Sequence, residues 1–79
     1  MTIKLLFFGA TADIVGKREI EFAHETPTSI EDVLSRLSRD FPAFRTHRLL
    51  FAVNQDYASD KHVLDNGDEL AVFTAVSGG

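Results

Sequence analysis

The 79-residue chain contains no cysteine. It can therefore form no disulfide and no thiolate metal site, and it has no cysteine nucleophile. If it handles sulfur, it cannot do so on a side-chain thiol. Basic residues are in deficit: eight Lys and Arg stand against 12 Asp and Glu, for a formal net charge of −4. A dedicated nucleic-acid binder carries the opposite balance. Long hydrophobic runs are missing too, and none approaches the roughly 18 residues of a membrane span. The opening Met1-Thr2-Ile3-Lys4-Leu5-Leu6-Phe7-Phe8 reads as a strand rather than a signal peptide. A cytoplasmic protein that engages neither nucleic acid nor membrane is expected. Glycine is sparse: Gly9 and Gly16 are isolated, and no Gly-Lys-Ser/Thr occurs, which excludes a phosphate loop.

The length fits one small domain, residues 1–79, with about 75–79 as a tail. Residues 2–8 are β-rich, with Ile3, Leu5 and Phe7 on one face and Lys4, Leu6 and Phe8 on the other. Gly9 to Gly16 reads as a loop. Residues 18–23 alternate cleanly, Ile20 and Phe22 inward against Glu19 and Glu21 outward. Pro27 then precedes a helix. Thr28 with Glu31 fits the capping-box spacing, and Ser29 with Asp32 is a weaker version. Ile30, Val33, Leu34, Leu37 and Phe41 form one apolar stripe, and Pro42 ends the helix near Asp40.

Residues 43–48 read as a loop, Leu49–Val53 as a buried strand and Asn54–Asp60 as an irregular polar stretch. Lys61–Leu64 suggests a short edge strand. Asp65-Asn66-Gly67-Asp68 carries the Asn-Gly turn signal, and Glu69–Val76 is a last β-rich run. One helix with one apolar stripe must pack on one face of one sheet. The first and last strands are the most strand-like and should pair in the middle of it. The expected fold is α+β, a ubiquitin-like β-grasp whose mixed sheet packs on one main helix. The expected core is Ile3, Leu5, Phe7, Ile20, Phe22, Ile30, Val33, Leu34, Leu37, Phe51, Leu70 and Val72.

Side chains offer little chemistry. His24, His47 and His62 are too widely spaced for a local metal site. Asp65, Asp68 and Glu69 lack the alternation of a calcium loop and read as a solvated turn. Ser77 has no neighbouring histidine to activate it. The C-terminus differs. Gly78 and Gly79 end the chain with a carboxylate that no Cβ hinders, so it can enter a narrow channel. Residues 75–79 fully extended reach about 17 Å. By strand parity Leu6, Phe8 and Phe73 lie away from the helix as an apolar patch, the kind of surface that marks a partner site.

The sequence resembles the small subunits of molybdopterin synthase, the MoaD-type sulfur carriers of the MoaD/ThiS family. Ile3-Lys4-Leu5-Leu6-Phe7-Phe8-Gly9 resembles their first strand, followed by a loop ending Ile14-Val15-Gly16. Val53-Asn54-Gln55 with Tyr57-Ala58 is similar to the exit of their third strand. Leu64 to Ala71 resembles their turn into the last strand, and Val76-Ser77-Gly78-Gly79 their tail. One departure stands out: Thr74-Ala75 occupy the place where such carriers commonly have Pro-Pro, which would stiffen the tail.

The resemblance implies a function. The Gly79 carboxylate would be adenylated by a MoeB-like enzyme using ATP. A sulfurtransferase or cysteine desulfurase would supply the sulfur that converts it to a thiocarboxylate. Val76, Ser77 and Gly78 would carry it into a MoaE-like large subunit, where it donates sulfur to the dithiolene of molybdopterin. The chain would be a non-catalytic subunit and cosubstrate in a hetero-oligomer, binding no cofactor or metal itself, with Leu6, Phe8, Phe73 and Ala75 at the partner interface. Alternatives are a ThiS-like carrier for thiazole synthesis, a ubiquitin-like protein modifier, and a binding module.

Overall fold

Alternation along Thr2–Phe7 places Ile3, Leu5 and Phe7 in the interior, each no more than 1% exposed, while Thr2 and Lys4 face solvent. This is β1 of a computed structural model that describes residues 2–23 and 28–74. Strand β2 (Glu19–Ala23) returns antiparallel to β1, and β7 (Glu69–Thr74) lies parallel to β1 on its other side. Next to β7, antiparallel, runs β4 (Leu49–Val53), which pairs in turn with β5 (Asp56–Ala58). The sheet order is therefore β2-β1-β7-β4-β5, with the first and last strands at its centre. A separate two-stranded sheet joins β3 (Thr28–Ser29) to β6 (Val63–Leu64).

The main helix, α2 (Ile30–Asp40), buries Ile30, Val33 and Leu37 against the sheet. Its N-cap is Ser29, whose hydroxyl accepts from the Asp32 N–H at 3.2 Å. The weaker of the two capping patterns is the one used, because the helix begins at Ile30 and so puts Ser29, not Thr28, at the N-cap. Two more of the orphan N–H groups at this end, those of Ile30 and Glu31, donate to the carbonyls of His62 and Asp60. Lys61 reaches Glu31 at 2.9 Å, and that hydrogen bond raises the lysine pKa above its ordinary value.

Three loop assignments are corrected. Residues Ala10–Val15 form a short helix, α1, between Gly9 (φ 57°) and Gly16 (φ 81°). Six residues are too few for an apolar period to show, and the two glycines that read as loop markers are its caps. The buried Thr11 anchors it. In the β1–β7 ladder Lys4 N–H donates to Asp68, and at two-residue spacing Phe8 N–H is due to meet the Val72 carbonyl. The Thr11 hydroxyl occupies that place, accepting from Phe8 N–H at 2.9 Å and donating to the Val72 carbonyl at 2.7 Å.

Residues Pro42–Thr46 form a 3-10 helix, not a loop. Asn54–Asp60 is not irregular: Asn54 (φ 50°) and Gln55 (φ 74°) make a two-residue turn with both centres left-handed, and β5 follows at once.

The core also differs in part. Ile20, Phe22, Leu34 and Phe51 are only half-buried, while Phe44, Val53 and Leu64 are fully inside. Ile20 and Phe22 lie on an edge strand, where Arg36 covers the Phe22 ring at 4.7 Å from its centroid. Phe44 packs between Phe7 and Phe41, its ring centroid 6.2 Å from each. Among the described residues, no helix is long and apolar enough to cross a membrane.

Candidate functional site

The helix covers one face of the sheet, and the residues of opposite parity make the other. Strand register sets them in rows. Glu19, Leu6, Ala71, Ala52 and Tyr57 follow one another across β2, β1, β7, β4 and β5. One step toward the C-terminal end of β7, Phe73 pairs with Leu50. The two alanines form a low floor between larger groups. The Tyr57 and Phe73 rings stand over it with centroids 6.0 Å apart. Tyr57 is 79% exposed and Phe8, just past the end of β1, is 53% exposed.

Of the candidate interface residues, Leu6 and Phe73 are half-buried on this open face, and Phe8 borders it. A cleft of about 530 Å³ continues from there, lined by Leu6, Phe8, Ala12, Asp13, Arg18 and Glu19. The remaining site candidates, Ala75, Val76, Ser77, Gly78 and Gly79, lie outside the described residues, as does His24. The last described residue, Thr74, pairs with Leu49, so β7 hands the chain to residue 75 at the end of the sheet where Phe8 sits.

Sequence reasoning missed Leu50, Ala52 and Tyr57 as parts of this face. A strand read as buried hides its outward residues, and Leu50 is in fact exposed. Tyr57 fell in a stretch read as irregular. Its signal was Asn54: asparagine is favoured at the first centre of a two-residue hairpin turn, which would have placed Tyr57 opposite Ala52.

The Asp65–Asp68 turn spends its polar atoms on closing itself and on bonds to the neighbouring strands. The Asp68 carboxylate accepts from Asn54 Nδ2 at 3.0 Å and from the Asp65 N–H at 2.7 Å. Asn54 Oδ1 in turn takes the Glu69 N–H, tying the β4–β5 hairpin to the start of β7. Among the described residues no cluster of three or more His, Cys, Asp or Glu is arranged to hold a metal ion. What remains is an apolar surface beside the end of the strand that leads to the tail, a geometry suited to docking.

A mixed sheet with its terminal strands central, one main helix on one face and the other face open, defines the ubiquitin-like β-grasp class. The chain belongs to the ThiS family, whose pattern it matches over residues 5–79. It is 38% identical over 80 residues to the molybdopterin synthase sulfur carrier subunit of Escherichia coli, covering 98% of this chain and 99% of that one. Its fold is similar to that of SAMP1 from Haloferax volcanii, a small archaeal modifier protein, with a TM-score of 0.82, 25% identity and full coverage of both chains. It is also similar, at a TM-score of 0.68, 16% identity and full coverage of both, to a chain in the complex of subunits 1 and 2 of molybdopterin-converting factor from Helicobacter pylori. The family and fold expected from the sequence are those found.

Proposed function

We propose that this chain is the sulfur carrier subunit of a molybdopterin synthase. The end-to-end identity with the Escherichia coli carrier supports this reading most strongly. In it, the Gly79 carboxylate attacks the α-phosphorus of ATP held by a MoeB-like enzyme, and pyrophosphate leaves. A carboxylate is a poor acyl donor until it carries such a leaving group. A persulfide on a sulfurtransferase or cysteine desulfurase then attacks the acyl adenylate and displaces AMP, and a thiol reductant cleaves the S–S bond of the resulting acyl disulfide, leaving a thiocarboxylate, a soft anionic nucleophile. With no cysteine in the chain, the carried sulfur has no internal thiol with which to exchange. Val76, Ser77 and Gly78 lead it into the active site of a MoaE-like large subunit, which supplies the catalytic groups. The carrier binds no cofactor of its own; ATP belongs to its activating partner.

The test is the intact mass of the chain after incubation with the activating enzyme, ATP and a sulfur source. A gain equal to the difference between sulfur and oxygen is expected. Attachment to lysines of other proteins would instead favour a modifier, the reading suggested by the likeness to SAMP1. No change at all would leave a binding module. A thiocarboxylated chain that serves thiazole but not dithiolene formation would point to the ThiS-like role.

The open face supplies the docking surface in this reading. Phe73→Ala and Tyr57→Ala are each expected to weaken binding to the large subunit by about tenfold or more, the usual effect of losing an aromatic anchor. Val63→Ala, exposed but outside the five-stranded sheet, should leave it unchanged. Titration calorimetry with the large subunit reads both, and equal affinities for all three variants would remove the face from the interface.

A further inference from the structure

The Asn66-Gly67 turn carries a reactivity that docking does not use. Glycine has no side chain to shield its nitrogen, so after asparagine the backbone amide can reach the side-chain carbonyl carbon. The Gly67 nitrogen gives up its proton to solvent base and bonds to Asn66 Cγ. The Cγ–Nδ2 bond breaks, and ammonia leaves. Solvent water opens the resulting succinimide at one carbonyl or the other, giving aspartate or β-linked isoaspartate, with no change of oxidation state.

In the folded chain both reacting groups are held by one residue. Asn66 Oδ1 accepts the Thr2 N–H at 2.9 Å, and the Gly67 N–H donates to the Thr2 carbonyl at 2.8 Å. The geometry of β1 makes this arrangement available. Phe7 N–H bonds to Arg18 on the β2 side, so odd residues of β1 turn their polar backbone groups toward β2. Those of Thr2 point the other way, toward the turn. The attacking nitrogen is thereby kept protonated, and the amide it must attack is pinned to a different atom.

We propose that Asn66-Gly67 is a latent deamidation site that Thr2 locks shut in the folded protein. Reaction then proceeds only from states in which the start of β1 has opened. The isoaspartate product inserts a methylene into the backbone just ahead of β7. The bond that closes the turn, Asp68 N–H to the Asp65 carbonyl at 3.1 Å, spans that insertion and cannot re-form with the same geometry. The proposal is independent of the carrier reading, since it concerns the start of β7 and not the end at Thr74.

The test measures aspartate and isoaspartate at position 66 by peptide mapping during incubation at mildly alkaline pH. Conversion is expected to be at least about tenfold slower in the folded wild type than in the urea-unfolded chain. Two variants should release the lock. Thr2→Pro deletes one donor at a strand-initial position that tolerates proline. A chain lacking Met1 and Thr2 loses both bonds. Each should convert several-fold faster than the folded wild type while circular dichroism shows it still folded. Equal rates in folded and unfolded wild type, or no conversion even when unfolded, overturn the proposal. So does a folded Thr2→Pro chain as slow as the wild type. If either variant unfolds, the comparison of folded with unfolded wild type still decides.

Discussion

Deleting Gly79 is expected to abolish thiocarboxylate formation while leaving the melting temperature unchanged. The deletion draws the terminal carboxyl carbon back by one residue, roughly 3.3–3.6 Å in an extended chain. Near-attack geometry holds reacting atoms about 3–3.5 Å apart, so a shift of that size removes the carboxylate from the α-phosphorus altogether. Appending a residue should be equally damaging, because the old carboxyl carbon becomes part of a peptide bond. In the carrier reading, Gly78→Val adds a branched side chain to the segment that enters the activating enzyme, and is expected to block entry. None of these changes touches the described core, whose buried residues run from Ile3 to Val72. Mass spectrometry after incubation with the activating enzyme, beside a melting curve, separates the two effects. A Gly79-deleted chain that still gains sulfur at the normal rate would end the carrier reading.

The largest loss of stability is expected from Phe44→Ala. Phe44 is 2% exposed, in ring contact with Phe7 on the central strand and with Phe41 at the end of α2. Truncating a buried phenylalanine costs about 3–5 kcal/mol. A domain of 79 residues has only about 4–12 kcal/mol in total. The variant should therefore lose a large share of its stability, about a quarter of it or more, with its urea midpoint lowered in proportion. Leu37→Ala, also buried, should cost about 2–5 kcal/mol. Leu34→Ala should cost less, because Leu34 is half-exposed and loses less apolar contact. A loss below about 1 kcal/mol at Phe44 would mean that the 3-10 segment does not close the core.

These two predictions draw on different sources. The tail prediction is drawn from the sequence alone, because two residues without Cβ atoms need no fold to be recognised. Phe44 was not legible. It lies between Pro42 and Thr46 in a segment too short for any period to show, and only the closing of that turn beneath Phe7 makes it core.

The same division runs through the molecule. By itself the sequence determined β1, β2, α2, β4 and β7, because alternation of period two and a helical stripe are properties of consecutive residues. It also determined that one sheet face would be covered and one left open, since a single apolar stripe can cover no more than one. The tertiary structure alone decided how far that open face extends. Leu50, Ala52 and Tyr57 join Leu6 and Phe73 because β4 and β5 pair beside β7 in one particular register. It alone moved Ile20 and Phe22 toward the rim, by making β2 an edge strand. It alone gave Thr11 and Thr2 their roles, across 61 and 64 residues of sequence. Local patterns follow from neighbours along the chain, whereas edges, registers and long-range hydrogen bonds exist only once distant segments meet.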